Sequence, residues 1–391
     1  MSSPSRNRRR PARSPWFLLG AVAGAGVAAV CSMFFFPSKP KKVPAVSDRI
    51  YTTPAEWDAY KRTCLSPEGR VMDTANGNIT HSEGIGYGML LAVHFNDRPA
   101  FEAMWTWAAK KLRVRADSLF AWSWKPAPGS IDGEGAVPDT NNASDGDILI
   151  AWALLRAAAR WPEAGNHRSE ALRILSDLRA ACVRRSAIGP VLLPGSQGFV
   201  RENGDLVLNP SYWVWPAFEA FAAADLEPET WLDLSASGLR LVRAGRFGSK
   251  RLPGDWVVLR ADNRIELPAP GDFNTEFGYN AVRVPLYLSW AGFGQEDLLR
   301  PFADFPENCR VSDGSPAATW NLAGDSPGGD PAMAGAHAIF EMSRSAVNGE
   351  PPRRERLPVL AAGEAYYSAS LLLLTKVALT ERAAADAVVT R

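Results

Sequence analysis

The most regular feature of the chain is a series of apolar residues spaced three and four positions apart between residues 54 and 381. Loops rich in Gly, Pro, Asp and Asn separate these stretches, and this alternation is typical of helices joined by long loops. The predicted helices span residues 54–64, 86–95, 99–112, 145–161, 167–182, 211–224, 229–244, 281–291, 296–308, 332–347 and 366–381. Strand patterns are limited to residues 190–194, 199–207 and 256–267. The body is therefore predicted to be all-α, with a few short strands in its loops.

The first 47 residues differ from the rest in composition. Residues 1–15 carry several arginines, and residues 16–36 contain no charge. Such a run is long enough to cross a membrane as a helix, and the basic side stays in the cytoplasm. No convincing small-x-small cleavage site ends the run, so a transmembrane signal anchor is favoured over a cleaved signal peptide. Residues 37–47, rich in Pro and Lys, are then a linker, and residues 48–391 form one folded domain across the membrane.

Composition and charge narrow the classes of function. The 391 residues are 46% hydrophobic, enough for a large core, and the net charge is only +1. This balance gives no global electrostatic reason to bind nucleic acid. The four cysteines show no CxxC spacing, so neither a zinc site nor a disulfide framework is predicted. A neutral substrate fits this composition better.

One stretch with candidate chemistry surrounds Glu83. This carboxylate follows His81 and lies among Gly84, Gly86 and Gly88, just before an apolar helical run. Glycines remove side-chain bulk and let a ligand or another backbone approach closely. Glu83 is therefore a candidate catalytic acid, although a carboxylate near the start of a helix can also serve only to balance the helix dipole.

A second stretch, residues 141–161, is a polar loop that leads into an amphipathic helix. It carries Asn141, Asn142, Asp145 and Asp147. Acidic residues at a helix start are common caps, so either aspartate alone would ordinarily be structural. The density of amides and carboxylates, however, suits hydrogen bonding to a hydroxyl-rich ligand.

The same stretch carries a resemblance to a known family. The pattern A-S-D-G-D-x-x-I-A-x-A-L-L-x-A-x-x-x-W, from Ala143 to Trp161, resembles the signature of glycoside hydrolase family 8. The sequence His-Ser-Glu-Gly at residues 81–84 resembles that family's acid-bearing motif. Further motifs follow in order at residues 119–124, 208–213, 244–248, 252–256, 277–290 and 366–369. The resemblance extends over roughly residues 50–381.

This resemblance implies an (α/α)6 barrel, a toroid of six helical hairpins, with a long groove. It also implies endo-hydrolysis of β-1,4-glucan (cellulose) with inversion at the anomeric carbon and without metal or cofactor. Glu83 would be the general acid, and Asp145 would hold a distorted sugar ring at the cleavage position. The likeness is greatest to endoglucanases encoded with bacterial cellulose synthase. It therefore implies a periplasmic domain anchored to the inner membrane by residues 16–36, or secreted after cleavage, with the cellulose synthase complex as a partner.

One position departs from the family pattern. The usual Tyr-Asp-Ala-x-Arg-x-Pro becomes Tyr-Asn-Ala-Val-Arg-Val-Pro at residues 279–285, so Asn280 stands where the base is expected. An amide has no useful proton affinity near neutral pH and can only orient a water. Glu276, Asp272 or Asp145 could supply the base instead. Alternatively, hydrolysis is slow with water oriented by Asn280 and Tyr279, or it is lost and the groove only holds glucan.

Candidate substrate contacts complete the prediction. Sugar faces stack on large aromatic rings, and the best placed rings near loops are Trp122, Trp124, Tyr212, Tyr279, Tyr366 and Tyr367. Asn142 and Arg283 could bind sugar oxygens, although Arg283 would serve equally well in a salt bridge at the edge of the core. Most aromatic rings in such a domain belong to its core, so each assignment needs the structure.

Two alternative functions remain open at this stage. The first is hydrolysis of chitosan, which the same family includes and for which a subgroup carries Asn at the position of residue 280. The second is a catalytically impaired, membrane-tethered protein that binds glucan.

Overall fold

Helices are the main regular secondary structure in the part of the protein that the structure describes. The computed structural model describes residues 50–130, 133–163 and 165–389. The helices are α1 (Pro54–Cys64), α2 (Ser82–His94), α3 (Arg98–Lys111), α4 (Ser144–Arg160), α5 (His167–Cys182), α6 (Trp215–Ala224), α7 (Pro228–Ala244), α8 (Arg283–Trp290), α9 (Glu296–Ala303), α10 (Phe305–Asn308), α11 (Ala334–Asn348) and α12 (Tyr366–Val389). The prediction of a mainly helical body is thus confirmed.

Short antiparallel strands connect the helices. They are β1 (Thr80–His81), β2 (Ser123–Pro126), β3 (Gly135–Ala136), β4 (Val183–Ser186), β5 (Gly189–Leu192), β6 (Leu206–Leu208), β7 (Arg246–Phe247), β8 (Leu252–Pro253), β9 (Val257–Leu259), β10 (Ile265–Glu266), β11 (Glu276–Phe277), β12 (Trp320–Asn321) and β13 (Ser326–Pro327). They pair in the orders β1-β2-β3, β10-β9-β6, β11-β12-β13, β4-β5 and β7-β8. In β1, His81 lies opposite Ser123 of β2, which brings the start of α2 beside residues 122–124.

Several helix boundaries differ from the prediction. Helix α2 begins at Ser82, four residues before the predicted start, because packing outweighs the low helix propensity of its glycines. The predicted helix over residues 296–308 divides into α9 and α10, and Pro306 stands in the first turn of α10. A 3-10 turn, Pro210–Tyr212, precedes α6. Glu83 therefore lies in the first turn of its helix.

The helices follow one another around a closed ring of contacts. Helix α2 packs on α3, α4 and α12, α4 packs on α5 and α6, and α6 packs on α7 and α8. Helix α8 in turn packs on α11 and α12. Following α2, α4, α6, α8 and α12 leads back to α2, so apolar faces from distant parts of the chain bury one continuous core.

Glycines set the close approach of α2 and α4. A Cβ added to Gly86 would lie 2.4 Å from Leu149 Cβ, and one added to Gly146 would lie 2.1 Å from Ser82 Oγ. Real Cβ atoms do not tolerate such distances, so the helices would have to move apart. The glycines that follow Glu83 therefore serve helix packing.

Substituting Gly146→Ala is expected to destabilise the fold by about 1–3 kcal/mol, because the added methyl overpacks the contact between α2 and α4. Thermal unfolding measures this as a lower Tm. Gly294→Ala is the control, since an added Cβ there meets nothing within 4 Å. An unchanged Tm in Gly146→Ala would contradict the packing role.

The predicted N-terminal segments cannot be compared with the structure. The basic residues 1–15, the apolar run 16–36 and the linker 37–47 lie outside the described residues. Of the helices that the structure describes, none combines the length and apolar character needed to span a membrane.

Candidate active site

Glu83 projects from the first turn of α2, next to the paired strands β1 and β2. Its carboxylate is 17% exposed, so it is accessible from one side. Oε2 forms an ion pair with Arg283, and Oε1 accepts a hydrogen bond from the Tyr366 hydroxyl at 3.1 Å. Gly84 allows this contact, because a Cβ there would lie 2.9 Å from the Tyr366 oxygen.

Arg283 connects the polar groups of the site. It begins α8 and is 1% exposed. Besides Glu83, its Nη1 donates to Asp145 Oδ2 at 3.0 Å and to the Tyr87 hydroxyl at 3.2 Å. Its Nη2 donates to Asn280 Oδ1 at 2.8 Å and to Ser211 Oγ at 2.9 Å. Burial opposes the charge, but the carboxylates of Glu83 and Asp145 hold the pKa of Arg283 well above its usual range, so the guanidinium stays charged.

Asp145 lies beside Glu83 in the first turn of α4 and is 2% exposed. Its Oδ1 accepts from the backbone N–H of Gly146 at 2.8 Å. Burial, and then the charge of Glu83, raise the pKa of Asp145 to about 7, against the opposing effect of Arg283. Two carboxyl groups thus share one cation.

A tight turn places Asn280 on the other side of Arg283. Residues 278–281 connect β11 to the start of α8, and Asp255 Oδ1 accepts from three of their backbone N–H groups: Gly278 at 2.9 Å, Asn280 at 3.1 Å and Ala281 at 2.7 Å. A guanidinium can only donate, so the Asn280 oxygen must face Arg283. The NH2 group of the half-buried Asn280 is therefore the part of the amide that does not contact Arg283.

Five rings form a row past Glu83. Trp122 stacks on His81 with centroids 5.8 Å apart, and His81 stacks on Tyr366 at 6.5 Å. Tyr366 and Tyr367 are 6.3 Å apart, and Tyr367 and Tyr279 are 6.4 Å apart. We call Trp122, His81, Tyr366, Tyr367 and Tyr279 the aromatic row. It runs from Trp122 to the turn that carries Asn280, with the 47%-exposed Tyr279 at that end.

The family follows from the sequence as a whole. A model of the family described as "Glycosyl hydrolases family 8" matches residues 42–381. The chain belongs to glycoside hydrolase family 8. It is therefore an enzyme of the glycoside hydrolase class.

Relatives of this family 8 enzyme include proteins named as endoglucanases. The endoglucanase of Cellulomonas uda is 39% identical over 311 residues, which cover 77% of this chain and 79% of that protein. The probable endoglucanase of Novacetimonas hansenii is 36% identical over 328 residues, which cover 83% and 90%. A crystal structure of a family 8 endoglucanase from Klebsiella pneumoniae has a TM-score of 0.75 at 36% identity, covering 84% of this chain and 99% of that one. Family 8 has an (α/α)6 barrel fold, with which the ring of helix contacts agrees.

The structure brings together most residues that the sequence proposed for the site of this family 8 enzyme. Arg283 contacts Glu83, Asp145 and Asn280 directly. The half-buried Tyr212 lies with its ring 5.6 Å from the Arg283 Cζ atom. The other members of this group, which belong to the aromatic row, are Trp122, Tyr279, Tyr366 and Tyr367. Tyr366 is 2% exposed, so, contrary to the prediction, its ring is buried beside His81 and Tyr367, and it reaches the site through the hydroxyl that contacts Glu83.

Trp124 does not face the groove, contrary to the prediction. It is 2% exposed and packs edge-on against Trp107 with centroids 5.5 Å apart. Strand β2 is the central strand of its sheet, and Gly135 of β3 leaves room for the indole. Trp124 is thus a core residue, and only Trp122 of this pair reaches the site.

Asn142 is also corrected by the structure. It is 3% exposed, its Nδ2 donates to Asp147 at 2.8 Å, and its Oδ1 accepts from the Ser196 N–H at 2.8 Å. Its amide is therefore used within the protein, where it fixes the loop before α4. Asp147 in turn accepts from the Phe120 N–H at 2.9 Å, so it ties α4 to the segment before Trp122.

Of the three proposed replacement bases, Asp145 contacts Arg283, whereas Asp272 and Glu276 make other contacts. Asp272 forms an ion pair with Arg201. Glu276 belongs to β11, with its backbone paired to Asn321. Burial raises the pKa of Tyr279, and the charges of Asp330 and Glu276 add to this shift. Neither Asp272 nor Glu276 is among the hydrogen-bond partners of Arg283 in the described residues.

Sequence reasoning assigned no role to Asp255 or to the His81 ring. Asp255 belongs to the motif at residues 252–256, which resembles the family pattern but predicts no role for this residue. His81 was noted as a neighbour of Glu83, but its stacking depends on Trp122 and Tyr366, which are distant in sequence. In the described residues, no group of three or more His, Cys, Asp or Glu side chains could hold a metal ion.

Proposed function

We propose that this family 8 enzyme is an endo-acting hydrolase of β-1,4-glucan that inverts the anomeric carbon, with Glu83 as the general acid. The observation that carries the proposal is the position of Glu83: a partly exposed carboxyl held by Arg283 and Tyr366 beside a continuous row of rings. Relatives named endoglucanases support the choice of substrate. The closed ring of helices supports an (α/α)6 barrel whose groove holds the polymer.

The contacts of Glu83 support its role in protonating the leaving group. Inverting hydrolysis requires one protonated carboxyl at the leaving oxygen and a second group that directs water from the opposite face. Glu83 donates its proton to the leaving O4 as the C1–O4 bond breaks. Asp145, whose pKa is raised to about 7, contacts the same guanidinium as Glu83 and can hold the hydroxyls of the sugar being cleaved.

Asn280 is expected to slow the attack of water on the anomeric carbon. As the water oxygen bonds to C1, one water proton must leave, and an amide cannot take it. We infer that Asn280 orients the water and that the proton passes to solvent water. Solvent water thus accepts the proton, but the reaction lacks the rate contribution of a general base, typically about 10²–10⁴-fold.

The aromatic row supports a polymer as substrate. Glucose units of a β-1,4 chain present flat C–H faces that stack on aromatic rings. Tyr366 is buried, but Trp122 at one end of the row and Tyr367 and Tyr279 at the other keep exposed surface, so rings on both sides of Glu83 can contact sugars on both sides of the cleaved bond. Contacts on both sides favour cleavage within a chain.

Asn280 also favours a second candidate function, glucan binding without hydrolysis. In that case, the site holds a chain in the groove while the reaction does not proceed. We further propose, from residues 1–47 and from the resemblance to endoglucanases encoded with bacterial cellulose synthase, that the domain is periplasmic and anchored to the inner membrane, or secreted after cleavage, and that it works with the cellulose synthase complex.

The purified protein is expected to lower the viscosity of carboxymethylcellulose early and to release reducing ends, with the α-anomer as the first product in NMR spectra. Glu83→Gln is expected to lower this rate by about 10²-fold or more, because the leaving oxygen then receives no proton. Chitosan is assayed in parallel, and faster cleavage of chitosan would replace the glucan assignment. If the wild type and Glu83→Gln are equally inactive but bind cello-oligosaccharides equally, the protein binds glucan and does not hydrolyse it.

A further inference from the structure

Asp255 is a buried carboxylate that no step of the proposed reaction uses. It is 2% exposed and lies just before β9. Its Oδ1 accepts from Gly278, Asn280 and Ala281, and its Oδ2 accepts from Asn274 Nδ2 at 3.3 Å. Burial raises the pKa of Asp255, while the donated hydrogen bonds oppose that shift.

The geometry of the turn explains this concentration of donors. Three N–H groups from four consecutive residues can reach one oxygen only if the backbone wraps around it. Gly278 permits the wrapping, since a Cβ there would lie 2.9 Å from Asp255 Oδ2. The backbone N–H of Asp255 also donates to the backbone oxygen of Glu276 at 2.6 Å. This bond fixes Asp255 to the strand that precedes the turn. The turn is thus built around this carboxylate.

The turn carries Asn280, which is proposed to orient the attacking water, and its neighbour Tyr279. On its opposite side, the Tyr367 hydroxyl donates to the Tyr279 backbone oxygen. Asn280 is fixed at its side chain by Arg283 and at its backbone by Asp255. Hydrogen bonds to a charged acceptor are stronger than those to a neutral one, so removing the charge of Asp255 loosens the turn.

We propose that Asp255 is a positioning residue for the water side of the reaction: it holds the 278–281 turn so that residue 280 faces the attacking water. This inference rests on the proposed hydrolase function. Asp255 acts through the turn and does not touch the substrate. Its loss should therefore lower the rate of the chemical step more than the affinity for glucan, because small displacements of a reacting group carry a large cost.

The test uses Asp255→Asn in the Asn280→Asp background, where a carboxylate occupies the water side. The isosteric variant keeps one acceptor oxygen for the turn. We expect kcat to fall by about 10- to 100-fold, while KM stays within about twofold of its value in Asn280→Asp. We also expect hydrogen exchange to become about tenfold faster at the amides of Gly278, Asn280 and Ala281. Asp205→Asn is the matched control. Asp205 is a 5%-exposed carboxylate that accepts from the Ala261 N–H and Arg260 elsewhere in the domain, and its substitution should change none of these values.

Two outcomes overturn the positioning role. The first is unchanged exchange at the three amides, and the second is a loss of kcat no larger than that of Asp205→Asn. If no variant, including Asn280→Asp alone, hydrolyses any glucan, the hydrolase assignment fails. Exchange at the three amides, together with cello-oligosaccharide affinity, then still decides whether Asp255 holds the turn.

Discussion

Asn280→Asp is expected to raise kcat on carboxymethylcellulose by about 10²–10⁴-fold, the usual contribution of a general base. The substitution changes one NH2 group to an oxygen and leaves the shape of the side chain unchanged. Arg283 Nη2 now donates to Asn280 Oδ1 at 2.8 Å, and it would keep this bond with a carboxylate. The second carboxylate oxygen then takes the place of the NH2 group and can accept a proton from the attacking water.

The pH profile of this variant provides an independent check. A negative charge added beside Arg283 disfavours ionisation of nearby carboxyls, so the pKa of Asp145 should rise above its present value of about 7. Asp145 then keeps its proton to higher pH, so the alkaline limb of the pH profile of kcat should move to higher pH. A new acidic limb should also appear, because the introduced carboxylate works only when ionised. Kinetics between pH 4 and 9 would show both limbs.

A matched control separates this effect from a general effect of charge. Asn263→Asp makes the same chemical change in an exposed turn with φ of 74°, a conformation that Asp tolerates. It should leave kcat unchanged. If Asn280→Asp binds cello-oligosaccharides normally but gains no activity, water does not attack from the Asn280 side, and another group must direct it.

The acid side of the site could be predicted from the sequence because its motif is contiguous. Glu83 and its glycines lie within one short stretch, and Asp145 lies in a second. The role of Arg283 could not be predicted, since it depends on contacts with Glu83 and Asp145, which are 200 and 138 residues away in sequence. A salt bridge and a substrate contact were equally compatible with its motif.

The local sequence also could not predict which aromatic residues are buried. Trp122 and Trp124 have the same neighbourhood in the sequence, yet one joins the aromatic row and the other packs on Trp107. The difference depends on Gly135, which lies in a neighbouring strand. The start of α2 was placed too late for a related reason: glycines lower local helix propensity, but here they allow tight packing against Leu149.

Arg283→Met should produce the largest loss of stability among the site substitutions, about 3–5 kcal/mol near neutral pH. The variant keeps a side chain of similar length but leaves Glu83 and the buried Asp145 side by side without a cation. Two like charges in a poorly solvated site are costly, and the pKa of Asp145 must rise further. Hydrolysis should also be lost, because Asn280 and Glu83 lose their common partner.

The loss of stability in Arg283→Met should depend on pH in a defined direction. A carboxyl whose pKa is higher in the folded than in the unfolded state makes the folded state bind more protons, so stability increases as the pH falls toward 4. The Tm deficit relative to wild type should therefore be smaller at pH 5 than at pH 8. Arg179→Met is the control: Arg179 pairs with Asp225 and Glu227, which lie outside the site. An equal deficit for Arg283→Met at both pH values would show that the guanidinium contributes packing there and does not neutralise the Glu83–Asp145 pair.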